Sequence, residues 1–345
     1  MSKIAIIGTG WGVRIQAPTF REAGLDVIGI AGHDREKTRK IASELGIRAF
    51  DDWRAAIESE ADLISVTAPP LEHAMMAIAA LEAGKHVICE KPTARDAGEA
   101  EQMLAAARAH PKQLALIDHE LRFAPSFLAA RQEVRGLGGI RYIEMRYSSA
   151  SRSDRTRPWN WWSNAEQLGG ALGAVGSHFA DAARYLTGEE VVAVQSTLET
   201  VIKERSGRAV TSDDFSLVHL RLASGAVAMM SLSAIASGSD EPSTITIHGE
   251  NAALRLVQEE LLRANNGEPF TRIAGSDPAT RPGNSTGGAF GSGTLHLARA
   301  LKRALDDGDR DALAPAATFE DGLAQQRVLD AARASHARGG GWVAL

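Results

Sequence analysis

Three short stretches of the chain hold residue types at spacings that could do chemistry. The first is Gly8-Thr9-Gly10-Trp11-Gly12-Val13, directly after an apolar run that starts at residue 3. Glycines spaced in this way let a chain turn tightly at a helix start, so that backbone N–H groups approach a pyrophosphate. The match to Gly-x-Gly-x-x-Gly is incomplete, because residue 13 is Val and the third glycine comes one residue early. A ligand-free tight turn is the plain alternative, but the position between an apolar run and a helix favours a dinucleotide. The second stretch is Glu90-Lys91-Pro92, after the apolar run His86–Cys89. Taking hydride from an alcohol needs a base for the hydroxyl proton, and a lysine in a partly desolvated site can serve as that base. Glu90 then orients Lys91 or holds its loop. The third is Arg157-Pro158-Trp159-Asn160-Trp161-Trp162, which contains three of the six tryptophans of the chain. Indole faces of Trp159 and Trp162 can stack on the C–H side of a sugar ring, with Arg157 and Asn160 bonding its hydroxyls. A tryptophan-rich packing loop is the alternative there.

These residues need elements to hold them. Ile4–Ile7, Val27–Ala31, Leu63–Thr67, His86–Cys89 and Leu114–Ile117 are too short for helices and unbroken in apolar character, as strands buried on both faces are. Between them lie helical lengths such as Arg35–Leu45, Leu71–Ala83 and Arg95–Ala109, and Gly24, Gly46 and Gly84 stand where left-handed helix ends are wanted. Strand and helix in alternation predict a doubly wound parallel sheet, with Lys91 at its carboxyl edge, where such sheets bind ligands. Cys89 reads as the last apolar residue of its strand, not as a nucleophile.

The end of the second strand bears on the cofactor. A carboxylate there would accept hydrogen bonds from the ribose of NAD, but the position holds Gly32, followed by His33 and Asp34. A small residue removes repulsion of a 2′-phosphate, and His33, Arg35 and Lys37 offer positive charge. Asp34 argues the other way. The balance favours NADP over NAD.

After Asp118-His119-Glu120-Leu121-Arg122-Phe123 the pattern changes. Arg141–Tyr147, Val191–Ile202, Asp214–Leu222, Ala226–Ala234, Thr244–His248 and Ala252–Val257 read as strands, several with period-two alternation and short connections that suit antiparallel neighbours. The chain is therefore expected to divide into 1–120, a dinucleotide-binding domain, and 121–345, a substrate and oligomerisation domain. Residues 265–293, rich in Gly, Asn, Ser, Thr and Pro, read as a long loop. Thr318-Phe319-Glu320-Asp321 reads as a capping box opening a helix over about 318–336, which can pack back toward the first domain. Arg122 can hold a substrate oxygen or a nicotinamide carboxamide, or form a structural ion pair. His219 and His248 read as sheet residues.

The run Thr67-Ala68-Pro69-Pro70-Leu71-Glu72-His73, then Ala83-Gly84-Lys85-His86-Val87 and Glu90-Lys91-Pro92, resembles the Gfo/Idh/MocA oxidoreductase family over nearly the whole chain. The resemblance implies an α/β protein: an N-terminal Rossmann domain and an α+β C-terminal domain with a large, mainly antiparallel, open-faced sheet. It implies an NAD(P)-dependent dehydrogenase or reductase, moving hydride between nicotinamide and a hydroxyl or carbonyl carbon of a sugar, cyclitol or related polyol. It further implies a homodimer or homotetramer joined through the open sheet. Thr67, Ala68, Pro69, His73, Glu90, Lys91 and Arg122 would join the Gly8–Val13 turn and Gly32–Asp34 around the cofactor, although His73 suits a helix anchor equally well. The segment Gly169-Gly170-Ala171-Leu172-Gly173-Ala174-Val175-Gly176-Ser177-His178 resembles the second active-site motif, but Ala174 stands where the family has a catalytic Asp. Lys91 and His178 remain as the acid–base pair, with His178 also readable as a core histidine. Lys91, Arg122, Arg157, Trp159, Asn160, Trp162 and His178 would meet the substrate. The rival expectation is a dinucleotide- or sugar-binding regulatory protein that keeps the fold without turnover.

Composition narrows the rest. With 38 Lys and Arg against 43 Asp and Glu, the net charge of −5 supplies no electrostatic reason to bind nucleic acid or anionic lipid. One cysteine excludes an internal disulfide framework, and no His, Cys or carboxylate spacing suggests a metal. Glycine arrives too early after Met1 for a signal peptide and no run of about 18 apolar residues is present, so a cytoplasmic protein is expected.

Overall fold

A computed structural model describes residues 1–238, 242–275 and 288–345. It divides into two compact units, Met1–Ala124 with Ala279–Leu323, and Pro125–Pro278 with Ala324–Leu345.

The first unit begins β1 (Lys3–Ile7), α1 (Ala17–Glu22), β2 (Asp26–Ala31), α2 (Arg35–Leu45), β3 (Arg48–Ala49), α3 (Trp53–Ile57), β4 (Leu63–Val66), α4 (His73–Glu82), β5 (His86–Cys89), α5 (Ala97–Ala109) and β6 (Ala115–Ile117). The neighbouring strands β6-β5-β4-β1-β2-β3 are all parallel. Alternate residues of β1 enter different cores. Ala5 and Ile7 pack with Ala77, Leu81 and Met103 on one face, while Ile4 and Ile6 pack with Phe20, Leu297 and Leu301 on the other. Two covered faces explain why the strand is apolar throughout, each such isoleucine contributing about 1.5–3 kcal/mol by burial. Gly24, Gly46 and Gly84 adopt left-handed conformations before β2, β3 and β5.

The second unit contains α6 (Pro125–Glu133), β7 (Ile140–Ser148), α7 (Ser177–Thr187), β8 (Val191–Glu199), the hairpin β9 (Glu204–Arg205) and β10 (Arg208–Ala209), β11 (Phe215–Leu222), β12 (Val227–Ser233), β13 (Thr244–Gly249), β14 (Ala252–Val257), β15 (Glu260–Asn265) and β16 (Thr271–Gly275). The chain ends with α8 (Ala289–Asp306), β17 (Ala317–Thr318), α9 (Phe319–Ala337) and β18 (Val343–Ala344). The large sheet runs β16-β15-β14-β13-β7-β12-β11-β8-β18, antiparallel except for the parallel pair β7 and β12. In β11 the buried Ser216, Val218, Leu220 and Leu222 alternate with more exposed Phe215, Leu217, His219 and Arg221, so one face is covered and one is open.

Two expectations need correction. The stretch 265–293 is not one loop: β16 and the start of α8 lie in it, and residues 276–287 fall outside the described ones. β16 is held by backbone pairing to β15 with few buried side chains, and a Cβ on Gly293 would overlap the carbonyl of Glu120, so composition signals neither element. Nor is 121–345 one body, because α8 and β17 belong to the first unit. α8 covers the face formed by Ile4 and Ile6, and β17 adds an antiparallel edge strand to β6. The capping box forms: Thr318 and Asp321 exchange side-chain to backbone hydrogen bonds at the start of α9. Among the described residues no helix is long and apolar enough to cross a membrane, and no cluster of metal-ligating side chains occurs.

Candidate functional site

The turn after β1 is shaped by close approach. Gly8 has φ +134°, and a Cβ there would lie 2.5 Å from the carbonyl oxygen of Thr67, whose own N–H donates to Ile7 O at 2.7 Å. A Cβ on Gly12 would overlap Thr67 and reach within 2.7 Å of Ile6 Cγ2, so Gly12 takes the helix-to-strand packing role that the spacing rule assigns to a residue one position later. Val13 at that later position is therefore no defect. Gly10 meets nothing within 4 Å and leaves its backbone open. The buried indole N–H of Trp11 has no acceptor among the described residues. Gly12–Gln16 is a π-helical turn leading into α1, a geometry frequent at functional sites. An open backbone at a helix start, walled by residues that leave no room for side chains, fits a dinucleotide pyrophosphate.

At the end of β2 the structure assigns each residue a local task. A Cβ on Gly32 would lie 2.5 Å from Thr38 Oγ1 and 2.6 Å from Thr9 Cγ2. Asp34 caps α2, accepting from Lys37 N at 3.0 Å. His33, Arg35 and Lys37 are exposed.

Lys91 follows β5 on a loop held from beneath. His73 is buried, with Nδ1 2.9 Å from Pro92 O and Nε2 2.8 Å from Ala68 O, which ties together the loops after β4 and β5. Its two carbonyl partners favour the charged ring, but burial is the larger effect and pushes its pKa down. Beside Lys91 lies a polar network that the sequence reading passed over. Gln16 Nε2 donates to Glu90 Oε1 at 3.2 Å and to Asp118 Oδ2 at 2.7 Å, and Ser65 Oγ donates to Gln16 Oε1 at 2.5 Å. Burial, then the neighbouring Asp118, raises the Glu90 pKa well above the usual carboxylate range. Burial raises that of Asp118 as well, opposed by hydrogen bonds from Glu90 and Gln16. Two adjacent buried carboxyls sharing one amide hold a proton between them, and the Lys91 charge acts on both toward ionisation. The sequence signal was present: Asp118-His119-Glu120 directly follows an apolar strand, and all three are buried. Arg122 forms an ion pair, its Nη2 3.0 Å from Asp321 Oδ1, with its side chain almost fully buried.

In the second unit, Gly170 has φ +94°, and a Cβ there would overlap the Asp213 carboxylate. Asp213 accepts from Leu172 N at 2.8 Å and from Ser216 Oγ, which pins the motif to the start of β11. Leu172–Gly176 is a second π-helical turn, so α-helical spacing does not carry from Ala174 to His178. His178 and Asp181 are buried at the start of α7. The tryptophan loop packs within this unit. Asn160 Oδ1 accepts from Trp162 N at 3.1 Å, Trp159 Nε1 donates to Ala209 O at 3.0 Å, and Arg157 is exposed. His248 stacks on Tyr142 in the sheet, with ring centroids 4.3 Å apart.

A shallow depression lined by Lys3, Asp26, Arg48 and Glu60 lies at the amino ends of β1 and β2, opposite the ligand-binding edge of such a sheet.

Comparison with known proteins identifies the family and the fold. Residues 2–117 match the model of an oxidoreductase family with an NAD-binding Rossmann fold, and residues 127–255 match the GFO/IDH/MocA C-terminal domain. Glucose-fructose oxidoreductase domain-containing protein 2 of Xenopus tropicalis is 30% identical over 98% of this chain and 92% of its own. An oxidoreductase domain protein from Kribbella flavida superposes with TM-score 0.85 at 28% identity, covering 100% of this chain and 99% of its own. Levoglucosan dehydrogenase in complex with NADH and levoglucosan gives 0.87 at 26%, covering 99% of each chain. With a Rossmann unit that carries Glu90-Lys91-Pro92 after β5 and a second unit built on an open mixed sheet, the chain belongs to the Gfo/Idh/MocA oxidoreductase family.

Proposed function

We propose that the protein is a nicotinamide-dependent dehydrogenase or reductase acting on a hydroxyl or carbonyl carbon of a sugar, cyclitol or similar polyol. The observation that carries this reading is Lys91 on a loop clamped by His73, with the buried Glu90 and Asp118 carboxyls beside it. A bound nicotinamide supplies the hydride acceptor or donor. The backbone at Gly8, Gly10 and Gly12 receives the pyrophosphate, Lys91 takes or returns the hydroxyl proton, and His178 relays it. The family relative that holds NADH with levoglucosan supports the reaction class. NADP is favoured over NAD because Gly32 carries no carboxylate, Asp34 is engaged as a helix cap, and His33, Arg35 and Lys37 present charge. The open sheet face joins copies of the chain into a dimer or tetramer.

The test is turnover of a sugar and polyol panel with each cofactor. Lys91→Ala should lower kcat/KM by about 10²–10⁴-fold while cofactor binding, followed by fluorescence titration, is retained. A binding protein without turnover is the second reading, favoured by Ala174 at the position of the family's Asp. It prevails if cofactor binds, no substrate consumes it, and Lys91→Ala changes nothing measured. Tighter binding of NADH than NADPH overturns the cofactor assignment.

A further inference from the structure

Two segments of the second unit carry a concentration of positive charge, in which arginines outnumber the nearby carboxylates. Residues 149–163 and 203–209 together hold six Lys or Arg and two Asp or Glu. They are clasped to each other. Arg205, buried, donates to Asp154 O and Arg152 O, each at 2.6 Å, and Trp159 bonds Ser206 and Ala209 across the β9–β10 hairpin. Arg152 lies over the Trp162 ring at 4.4 Å and Arg208 over the Trp159 ring at 3.4 Å.

The nearby acids Asp154 and Asp214 act on these arginines through space, but their oxygens are held by local hydrogen bonds. Asp154 accepts from Thr156 N and Oγ1, and Asp214 accepts from Val201 N and Ile202 N. Among the described residues, none of Arg152, Arg155, Arg157, Arg205 and Arg208 has a carboxylate oxygen within ion-pair distance. Burial, with Arg157 and Arg205 close by, lowers the Arg152 pKa to about 10. The buried indole N–H of Trp162 also lacks an acceptor among the described residues. Arg152 is half-buried with the Arg157 and Arg205 guanidiniums close by, and like charges held this way repel one another unless an anion joins them. The guanidinium fork matches a carboxylate or a phosphate, and indole faces suit the C–H side of a sugar.

We propose that Arg152, Arg157 and Arg208, framed by Trp159 and Trp162, bind the ionised group of an acidic sugar or polyol, one bearing a carboxylate or a phosphate. The inference rests on the oxidoreductase reading and narrows its substrate. The same loop runs into the turn that carries His178: a Cβ on Gly169 would overlap the Trp162 carbonyl, which accepts from Ser212 Oγ at 2.6 Å.

The experiment compares D-glucose, D-glucuronate and D-glucose 6-phosphate as probes, by calorimetric binding to the cofactor-loaded protein and by kcat/KM. At least one charged probe should exceed glucose by about tenfold or more, as hydrogen bonds to a charged group allow, with the advantage falling as salt rises. Which charged probe gains separates carboxylate from phosphate. Arg152→Gln should erode that advantage about tenfold, and Arg208→Gln, on the hairpin surface, does so if the first variant fails to fold. Lys91-dependent turnover that treats glucose and both charged probes alike overturns the anion site and leaves the oxidoreductase reading standing. Arginine-dependent binding of a charged probe without turnover by either cofactor upholds the anion site, and the oxidoreductase reading then falls only if the full sugar and polyol panel also gives no turnover. If no charged probe binds in preference to glucose, the anion site is wrong.

Discussion

The Glu90 and Asp118 carboxyls are placed where ionising both is costly, and this has a consequence for stability. A carboxyl whose pKa is raised by folding holds its proton more tightly in the folded than in the unfolded chain. Its contribution therefore favours folding at low pH and is lost as pH rises from the ordinary carboxylate range through the elevated value. Lys91 opposes the shift, Glu120 adds to it, and the Cys89 thiol beside them is itself pushed up by burial. Glu90→Gln cannot ionise, so the fall in Tm of wild type with rising pH should flatten in this variant. Parallel Tm profiles for the two proteins would remove the shared-proton account. Asp118→Ala leaves the Gln16 amide short of an acceptor and should cost about 1–3 kcal/mol in denaturant unfolding. Lys91 and His178 stand as candidates from motif position alone. Gln16 and Ser65 do not, because a glutamine on a helix and a serine in a strand carry no signal until four separate elements converge.

At the scale of elements, the end of β2 separates cofactor chemistry from packing. Placing an acid at the strand end is the simple way to recruit a ribose hydroxyl. At Gly32, however, any side chain meets Thr9 and Thr38 before it reaches solvent. Gly32→Asp should therefore lose about 1–3 kcal/mol of stability and weaken both NADH and NADPH, not exchange one for the other. A variant of unchanged stability that switches to NADH in fluorescence titration would show that the crowding is relieved. At the start of α9, Thr318→Ala removes the cap and should cost about 1 kcal/mol by the same unfolding measurement. Strands β1, β2, β4, β5 and β6 of the first unit were legible because burial on both faces leaves an unbroken apolar run, while the two-residue edge strands β3 and β17 were not; the capping box was legible because it is a local exchange of two hydrogen bonds. The π-helical turn at Gly12 was not legible, since Gly12 is pressed against Thr67, a residue far along the chain; in the second turn the close approach is local, from Gly173 to the Leu168 carbonyl. α8 was hidden because its opening turns are glycine-rich and its helicity is fixed by packing on the first unit.

At the scale of the whole molecule, the large sheet has a face that the described residues leave uncovered. Leu217 is 42% exposed, Met229 37% and Tyr142 37%, and all three point away from the buried residues of their strands. The register makes them diagonal neighbours: Leu217 pairs with Ser231, two residues from Met229, and Met229 pairs with Glu144, two residues from Tyr142. Apolar Leu217, Met229 and Tyr142 on the open face are interspersed with Glu144 and Arg146, the mixed composition of an interface that is only partly apolar. A second copy of the same face would bury it with two-fold symmetry, and a stable pair of this kind covers about 1,200–2,000 Å² in total. Sedimentation at micromolar concentration should therefore give a dimer or tetramer. Leu217→Asp with Met229→Asp should shift it to monomer, because each new carboxylate would be desolvated at the interface with no partner. Since both side chains already face solvent in the single chain, the variant monomer should keep its fold by circular dichroism. A wild type that sediments as a monomer, or a double variant that associates unchanged, would show that this face is not the one through which copies meet.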